Sequence, residues 1–396
     1  MRSLDVLTEQ CSLVNRSKKN LGTFSSCFLE PSIRSIFEKY ITLNAVDDFA
    51  YPEIAEIKKN CKQFLLQLLH ATSTDAYETI DTSGSSEAIL IALIHLKKLH
   101  QANHSSLNIR PYLYVAENAH IAWHKAAKYL NIDIKTLPLC PYTFEVKYNP
   151  LQQQLDLNCL GVIATLGNPL TMQFDNVDAL NQLLNQHYLN TNHWIPIHID
   201  GASGGYLAPY QYPETKNDFR LEHVISINVS SHKFGLLPPS LGWLITRTTK
   251  PFADLQDNSD YVGQSIQRKA IHYSHSGAYL LAQNHVIEAI GHSKLKNKIQ
   301  NIYSVSNYLV DRINIELPEL LPILSQQHVP GFAFRLNAGD IDDLSLKLRT
   351  KGWLLPTYTL RCHGQPDVRL ARIVIKIGFD EKLVSELIDD IKTLLN

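Results

Sequence analysis

Apolar and polar positions along this chain fall into two alternating rhythms from about residue 76 onward. Gly84–Gln101 carries an apolar face at helical spacing, opened by small hydroxyl residues, and predicts a helix. Tyr112–Ala116 is a short continuous apolar run that predicts a buried strand, followed by a helix over Ala119–Leu130. Leu160–Ala164, Trp194–Asp200, Val224–Val229 and Gly242–Thr246 repeat the strand signal, with the helical stretch Val177–Asn185 among them. Strands alternating with helices predict a mostly parallel sheet covered on both faces. A long helical region near 276–315 follows. Gly331–Leu336, Asp342–Lys351, Val368–Ile377 and Glu381–Leu395 then suggest a small α+β unit. Residues before 76 read as helices and irregular connections punctuated by Pro31 and Pro52. The expected organisation is an N-terminal segment 1–75, a large α/β domain 76–315 and a small C-terminal domain 316–396.

A chain of 396 residues can bury a large core. Its 37 basic and 38 acidic residues leave a formal charge of −1, so no global attraction to nucleic acid or to an anionic membrane is expected. No apolar stretch has the length of a signal peptide or a bilayer span, and the six cysteines are scattered without CxxC pairing. The expectation is a reduced, cytoplasmic enzyme that recognises a small molecule locally.

Three segments bring polar residues to places where open α/β sheets bind ligands, the carboxyl ends of strands. Asp81-Thr-Ser-Gly-Ser-Ser-Glu-Ala88 is a glycine-and-hydroxyl turn entering a helix; its free N–H groups, with Ser85 and Ser86, suit a phosphate. Taken alone, it reads as an ordinary Ser-rich helix cap. The GxGxxG and Walker patterns are absent, against a dinucleotide or nucleoside triphosphate. Trp194–Gly205 is an apolar strand that ends in Asp200 followed by small residues, an acid able to fix a protonated ring nitrogen. Ser226–Gly235 ends in Ser-Ser-His232-Lys233, where desolvation and nearby positive charge would lower the lysine pKa, as Schiff-base chemistry requires. A phosphate anchor, an acid and an amine are together the requirements of pyridoxal 5'-phosphate (PLP). His120 is available to stack on its ring. His120 and His124 also stand at i,i+4, but the HExxH glutamate and a third ligand are missing, so no metal is expected.

Together these segments resemble the PLP-dependent group II amino-acid decarboxylases, most closely the bacterial glutamate decarboxylases. The resemblance runs from Lys19-Asn-Leu-Gly-Thr-Phe24 to Arg372-Ile-Val-Ile-Lys-Ile-Gly-Phe379. Its most specific strings are GSSEA at 84–88, HIDGASGGYLAP at 198–209, DFRLEHVISINVSSHKFG at 218–235 and RTKGWLLPTYTL at 349–360. It implies the aspartate-aminotransferase-like α/β fold (fold type I), with a mostly parallel central sheet and a small α+β C-terminal domain. It implies that Lys233 binds the cofactor aldehyde, Asp200 pairs with the pyridine nitrogen, and Ala202 and His120 cover the two ring faces. Ser85, Ser86, Ser230 and His232 would contact the phosphate with Ser274 of a partner subunit, and Thr165 would lie near the ring hydroxyl. Lys233, His232 and Tyr261 are the implied proton donors. Thr23, Phe24 and Asp47 fall where the family contacts a distal carboxylate, and Arg372 matches its substrate-carboxylate arginine. A homodimer or larger homo-oligomer with shared sites follows.

The implied reaction is decarboxylation of L-glutamate to 4-aminobutyrate and CO2. Alternatives are decarboxylation of aspartate, cysteine sulfinate or an aromatic amino acid, a PLP-dependent C–C lyase, and a non-catalytic PLP-binding protein. The chain departs from the family pattern within 261–270, where Gln267, Arg268 and Lys269 replace small and aromatic residues, and at His275, where an arginine is usual. Both termini are short, so the terminal regulatory segments of some relatives are expected to be absent.

Overall fold

The computed structural model describes residues 18–26, 28–46, 50–71, 76–104, 110–255, 257–259, 266–324, 328–362, 364 and 366–395. Two helices come first, α1 (Pro31–Tyr40) and α2 (Glu53–Leu68). Pro31 opens α1 at a position whose N–H would have no helical partner. In α2, Ile54, Ile57, Cys61, Phe64, Leu65 and Leu68 recur at three- and four-residue intervals and form its buried stripe.

Seven strands build the central sheet: β1 (Tyr77–Thr82), β2 (Tyr112–Ala116), β3 (Asp133–Leu137), β4 (Cys159–Thr165), β5 (Ile197–Gly201), β6 (Val224–Ser230) and β7 (Gly242–Arg247). Their order is β1-β7-β6-β5-β4-β2-β3. The pairs β2–β3, β2–β4, β4–β5 and β5–β6 are parallel, and β7 runs antiparallel to both neighbours. Every residue of β2, β4, β5 and β6 is buried, as parallel strands covered on both faces should be; β2 and β4 read as near-continuous apolar runs, while β5 and β6 alternate apolar residues with buried polar ones. The helices α3 (Ser85–Asn103), α4 (Ile121–Tyr129) and α5 (Val177–Thr191) connect the strands. Because β1 points the same way as the parallel set, Thr82, Thr165, Asp200 and Ser230 all arrive at one edge.

A short ladder pairs β8 (Asp257–Ser259) with β9 (Ile266–Arg268). Then α6 (Ala278–His285), one π-helical turn and the long α7 (Gly291–Glu316) lead to a second, wholly antiparallel sheet. Its strands are β10 (Leu320–Pro322), β11 (Gly331–Leu336), β12 (Thr357–Leu360) and β13 (Val368–Val374), in the order β10-β11-β13-β12. It carries α8 (Ile341–Thr350) and α9 (Glu381–Leu395). The mostly parallel α/β sheet with a separate small α+β sheet agrees with the expected fold class. No helix among the described residues is long and apolar enough to cross a membrane.

Three differences from the sequence reading have physical reasons. Strand β5 begins at Ile197, not Trp194, because Pro196 has no N–H to donate; its carbonyl instead accepts from Val162 N at 3.0 Å. β1 and β3 went unread because their edge positions leave them half-buried and mixed in polarity. The stretch around residue 21 is stitched into the second sheet, with Leu21 N donating to Leu354 O at 2.9 Å and Val374 N to Leu21 O at 2.8 Å. Ser26 N donates to His232 O at 3.0 Å. This N-terminal stretch therefore bridges the lysine loop and the small sheet.

Candidate active site

The carboxyl edge of the central sheet holds a cavity of about 340 Å³, within the range of small-molecule sites. Ser85, Ser86, His120, Thr165, Asp200, Ala202, Ser230, His232 and Lys233 all line it. These nine come from five separate stretches of chain, converging because the strands end together.

Asp200 is 3% exposed and bound from three sides. Trp123 Nε1 of α4 donates to Oδ2 at 3.0 Å, while Asn228 Nδ2 and Ala202 N donate to Oδ1 at 3.1 and 3.2 Å. Strand periodicity sets this up. Asp200 and His198 share a face of β5, and their register partners Asn228 and Ser226 share the same face of β6. Asn228 Oδ1 can only accept, so His198 Nε2 donates to it at 2.7 Å, and the Ser226 hydroxyl lies 2.7 Å from His198 Nδ1. Burial pushes His198 down to about 4 and keeps it neutral. Sequence reasoning missed Trp123, Asn228 and His198.

Lys233 follows β6, and its Nζ donates to Ser203 Oγ at 3.0 Å. Burial pushes its pKa down to about 8, with Asp200 opposing and Arg372 adding to the fall. The neighbouring cation that matters is thus Arg372 and not His232, as the sequence had implied. Burial and then Lys233 also lower His232.

At the opposite end, α3 begins at Ser85 behind Gly84, whose φ of +147° favours glycine. The first N–H groups of a helix have no carbonyl partner within it. Ser85 Oγ lies 2.6 Å from Ser230 Oγ, so its hydroxyl faces the strand end and not its own helix. A Cβ on Gly242 would come within 3.0 Å of Gly84 Cα, so β7 needs a glycine there for the turn to pack. His120 caps α4, its Nδ1 accepting from Ala122 N at 3.2 Å, while its ring lines the cavity. Thr165 N donates to the half-buried Asp175 at 2.7 Å, an acid that desolvation pushes up to about 7.

The remaining candidates lie elsewhere. Arg372 of β13 is 7% exposed; its Nε and Nη2 donate to Gly22 O at 3.3 and 2.9 Å. The guanidinium sits between the Phe24 and Tyr358 rings, 4.6 and 4.4 Å from their centroids. Lys233 Nζ is 5.4 Å from the centroid of the same Phe24 ring, so Phe24 links Arg372 to the cavity. Arg372 Nη1 is buried without a hydrogen-bond partner. Thr23 Oγ1 accepts from Ser25 N at 3.1 Å, the turn role its residue type favours. Ser274 does not line its own chain's cavity and stands 3.5 Å from Asn44 Nδ2. Asp47 and Tyr261 lie outside the described residues.

The pyridoxal-dependent decarboxylase conserved domain matches residues 32–337. The chain belongs to that family. This decarboxylase is 30% identical to glutamate decarboxylase 2 of Arabidopsis thaliana, across 99% of this chain and 81% of the relative. It is 30% identical to the glutamate decarboxylase of Aliivibrio fischeri, across 98% and 85%. A solved glutamate decarboxylase structure from Lactobacillus brevis aligns with a TM-score of 0.91 at 28% identity, covering 99% of this chain and 91% of that one. The decarboxylase is accordingly a PLP-dependent carboxy-lyase, and its cavity suits that cofactor. A half-buried, weakly basic amine, a fixed acid and an N–H-rich helix start occupy the three places the cofactor's polar groups require.

Proposed function

We propose that this decarboxylase converts L-glutamate to 4-aminobutyrate and CO2, with PLP held by Lys233. The observation that carries the assignment is the shared cavity of Lys233 and Asp200, one a half-buried amine and the other a carboxylate fixed by three donors. The glutamate decarboxylases among the relatives support the substrate.

Ser85, Ser86 and the first N–H groups of α3 would hold the phosphate, with Ser230 and His232 beside them. Asp200 would hold a proton on the ring nitrogen, Thr165 would face the ring hydroxyl, and His120 and Ala202 would flank the ring. When bound, PLP supplies an electron sink for the carbanion left at Cα as CO2 departs. The chain's own residues do the rest. Asp200 keeps its charge in place through Trp123 and Asn228, and the neutral His198 adds no competing cation. Lys233, with a pKa of about 8, can carry or release a proton near neutral pH and return one to Cα. His232 stands next to it, and Tyr261 remains the third candidate donor.

Arg372 offers its unpartnered Nη1 to the substrate carboxylate. Thr23, Phe24 and Asp47 would face the distal carboxylate. Ser274 would complete the phosphate site of a second subunit, making the protein a homodimer or larger. The four described cysteines are all unpaired, which supports a reducing, cytoplasmic setting. The division at 76 and 316 would separate the cofactor-binding and small domains.

The test is an amino-acid panel with the cofactor-loaded protein, scoring CO2 and amine. L-Glutamate should yield 4-aminobutyrate; turnover confined to aspartate, cysteine sulfinate or an aromatic amino acid would replace the substrate assignment.

A further inference from the structure

Beside the helix start, and outside the machinery described above, Asp81, His272 and His275 converge so that one ligating atom of each lies within 4.8 Å of the others. We propose that these three side chains form a binding site for a zinc-class divalent metal ion. Asp81 comes from the end of β1, and the two histidines from the His272-Tyr-Ser-His275 stretch before α6.

The proton positions make the case. His275 Nδ1 lies 2.9 Å from Tyr273 O, and a carbonyl only accepts, so Nδ1 carries the hydrogen. His272 Nδ1 lies 2.7 Å from Glu87 Oε2, a carboxylate held down to about 2 against its burial by His272 and the N–H groups of Ser83 and His272, so Nδ1 donates here too. In the neutral rings both Nε2 atoms therefore carry lone pairs. They face the Asp81 carboxylate, 3.2 Å away from His275 and 3.9 Å from His272. His275 Nε2 is buried and makes no hydrogen bond. Two lone pairs aimed at an anion repel it unless a proton or another cation sits between them.

One cation already reaches the cluster. Arg268 Nη2 lies 3.3 Å from Asp81 Oδ2 and 3.2 Å from His272 Nε2. Arginine has only donors, which independently shows that His272 Nε2 accepts. The guanidinium serves two of the three ligands and holds the place of the ion in the metal-free chain. Two imidazoles and a carboxylate are a borderline donor set that suits zinc, with water in the fourth position. Tetrahedral zinc places its ligand atoms about 3.3 Å apart; His275 already stands at 3.2 Å from Asp81, and His272, at 3.9 Å, would move inward. The outer partners are those metal-bound histidines use, a carboxylate for one ring and a backbone carbonyl for the other. Glu87 also accepts from Ser83 N and Ile271 N, both at 2.8 Å. A bound metal would thus tie the helix start to the 271–275 stretch.

The test is calorimetric titration of the full-length, cofactor-loaded protein with Zn²⁺, with Co²⁺ absorption to read the geometry. One ion per chain should bind, with a low-coordinate Co²⁺ spectrum and a raised unfolding temperature. The double variant His272→Gln/His275→Gln should lose at least about 100-fold in affinity, beyond the 10–100-fold typical of outer partners. Arg268→Met should bind Zn²⁺ more tightly, and it decides the matter if the double variant does not fold. Absence of stoichiometric binding, as a plain imidazolium–carboxylate pair predicts, would overturn the proposal. So would unchanged affinity in the double variant, or no gain in Arg268→Met.

Discussion

The Asp200 end of the lysine cavity and the Arg372 end beyond it, joined to Lys233 through the Phe24 ring, are finished to different degrees. At the Asp200 end both carboxylate oxygens are occupied, and the chain of contacts continues through Asn228 and His198 to Ser226. At the Arg372 end the guanidinium is equally buried, yet one nitrogen has no partner and the nearest acceptor is a single backbone carbonyl. A buried, unsatisfied charged donor is costly, and native proteins rarely leave one without a ligand to complete it. The Asp200 end is therefore organised in advance, while the Arg372 end, in the proposed function, would be completed by the substrate carboxylate. The first should govern the rate of chemistry, and the second the capture of substrate.

Removing the amine that both ends serve should have the largest effect. Lys233→Ala should lower turnover on the order of 10⁴-fold while leaving the circular dichroism of the fold unchanged. At the organised end, Asp200→Asn should reduce kcat by roughly 10²–10³-fold with the cofactor still bound, visible in its absorbance. Wild-type kcat in that variant would dissolve the distinction. At the open end, Arg372→Gln should raise KM roughly 10–100-fold and move kcat little, the worth of a charged hydrogen bond. A loss mainly in kcat would show that both ends act on the chemistry. Asn228→Ala, which positions Asp200 from β6, should cost kcat only about tenfold at unchanged KM.

A pH experiment sharpens the same comparison. The lysine's pKa is lowered, so its neutral, nucleophilic form grows as pH rises through about 8 and levels off above it. The rate at which cofactor-free protein captures PLP should follow that curve. Arg372→Gln removes a positive charge and should move the midpoint up; Asp200→Asn removes a negative one and should move it down. Equal shifts of the same sign would contradict the opposed charges.

The difference between the two ends also governs what could be read in the sequence. Asp200, Ser230 and Lys233 were legible because each apolar run breaks into polar residues where a strand ends. Trp123 and Asn228 were not, since an indole in a helical pattern reads as core and an asparagine within INVS reads as strand. Their roles depend on register between β5 and β6, which a single sequence does not state. The antiparallel course of β7 was hidden likewise, because GWLIT is buried whichever way it runs. Arg372 and its carbonyl partner at Gly22 are 350 positions apart, a contact made only by the N-terminal stretch crossing to the second sheet. The expectation of no metal rested on missing contiguous motifs, and the cluster proposed to bind one, Asp81 with His272 and His275, is not contiguous.

Borohydride reduction of the PLP-loaded protein followed by peptide mass mapping tests the central assignment most directly. A stable cofactor adduct is expected on the peptide that contains Lys233, absent from Lys233→Ala. An adduct on another lysine, or none at all, would contradict it.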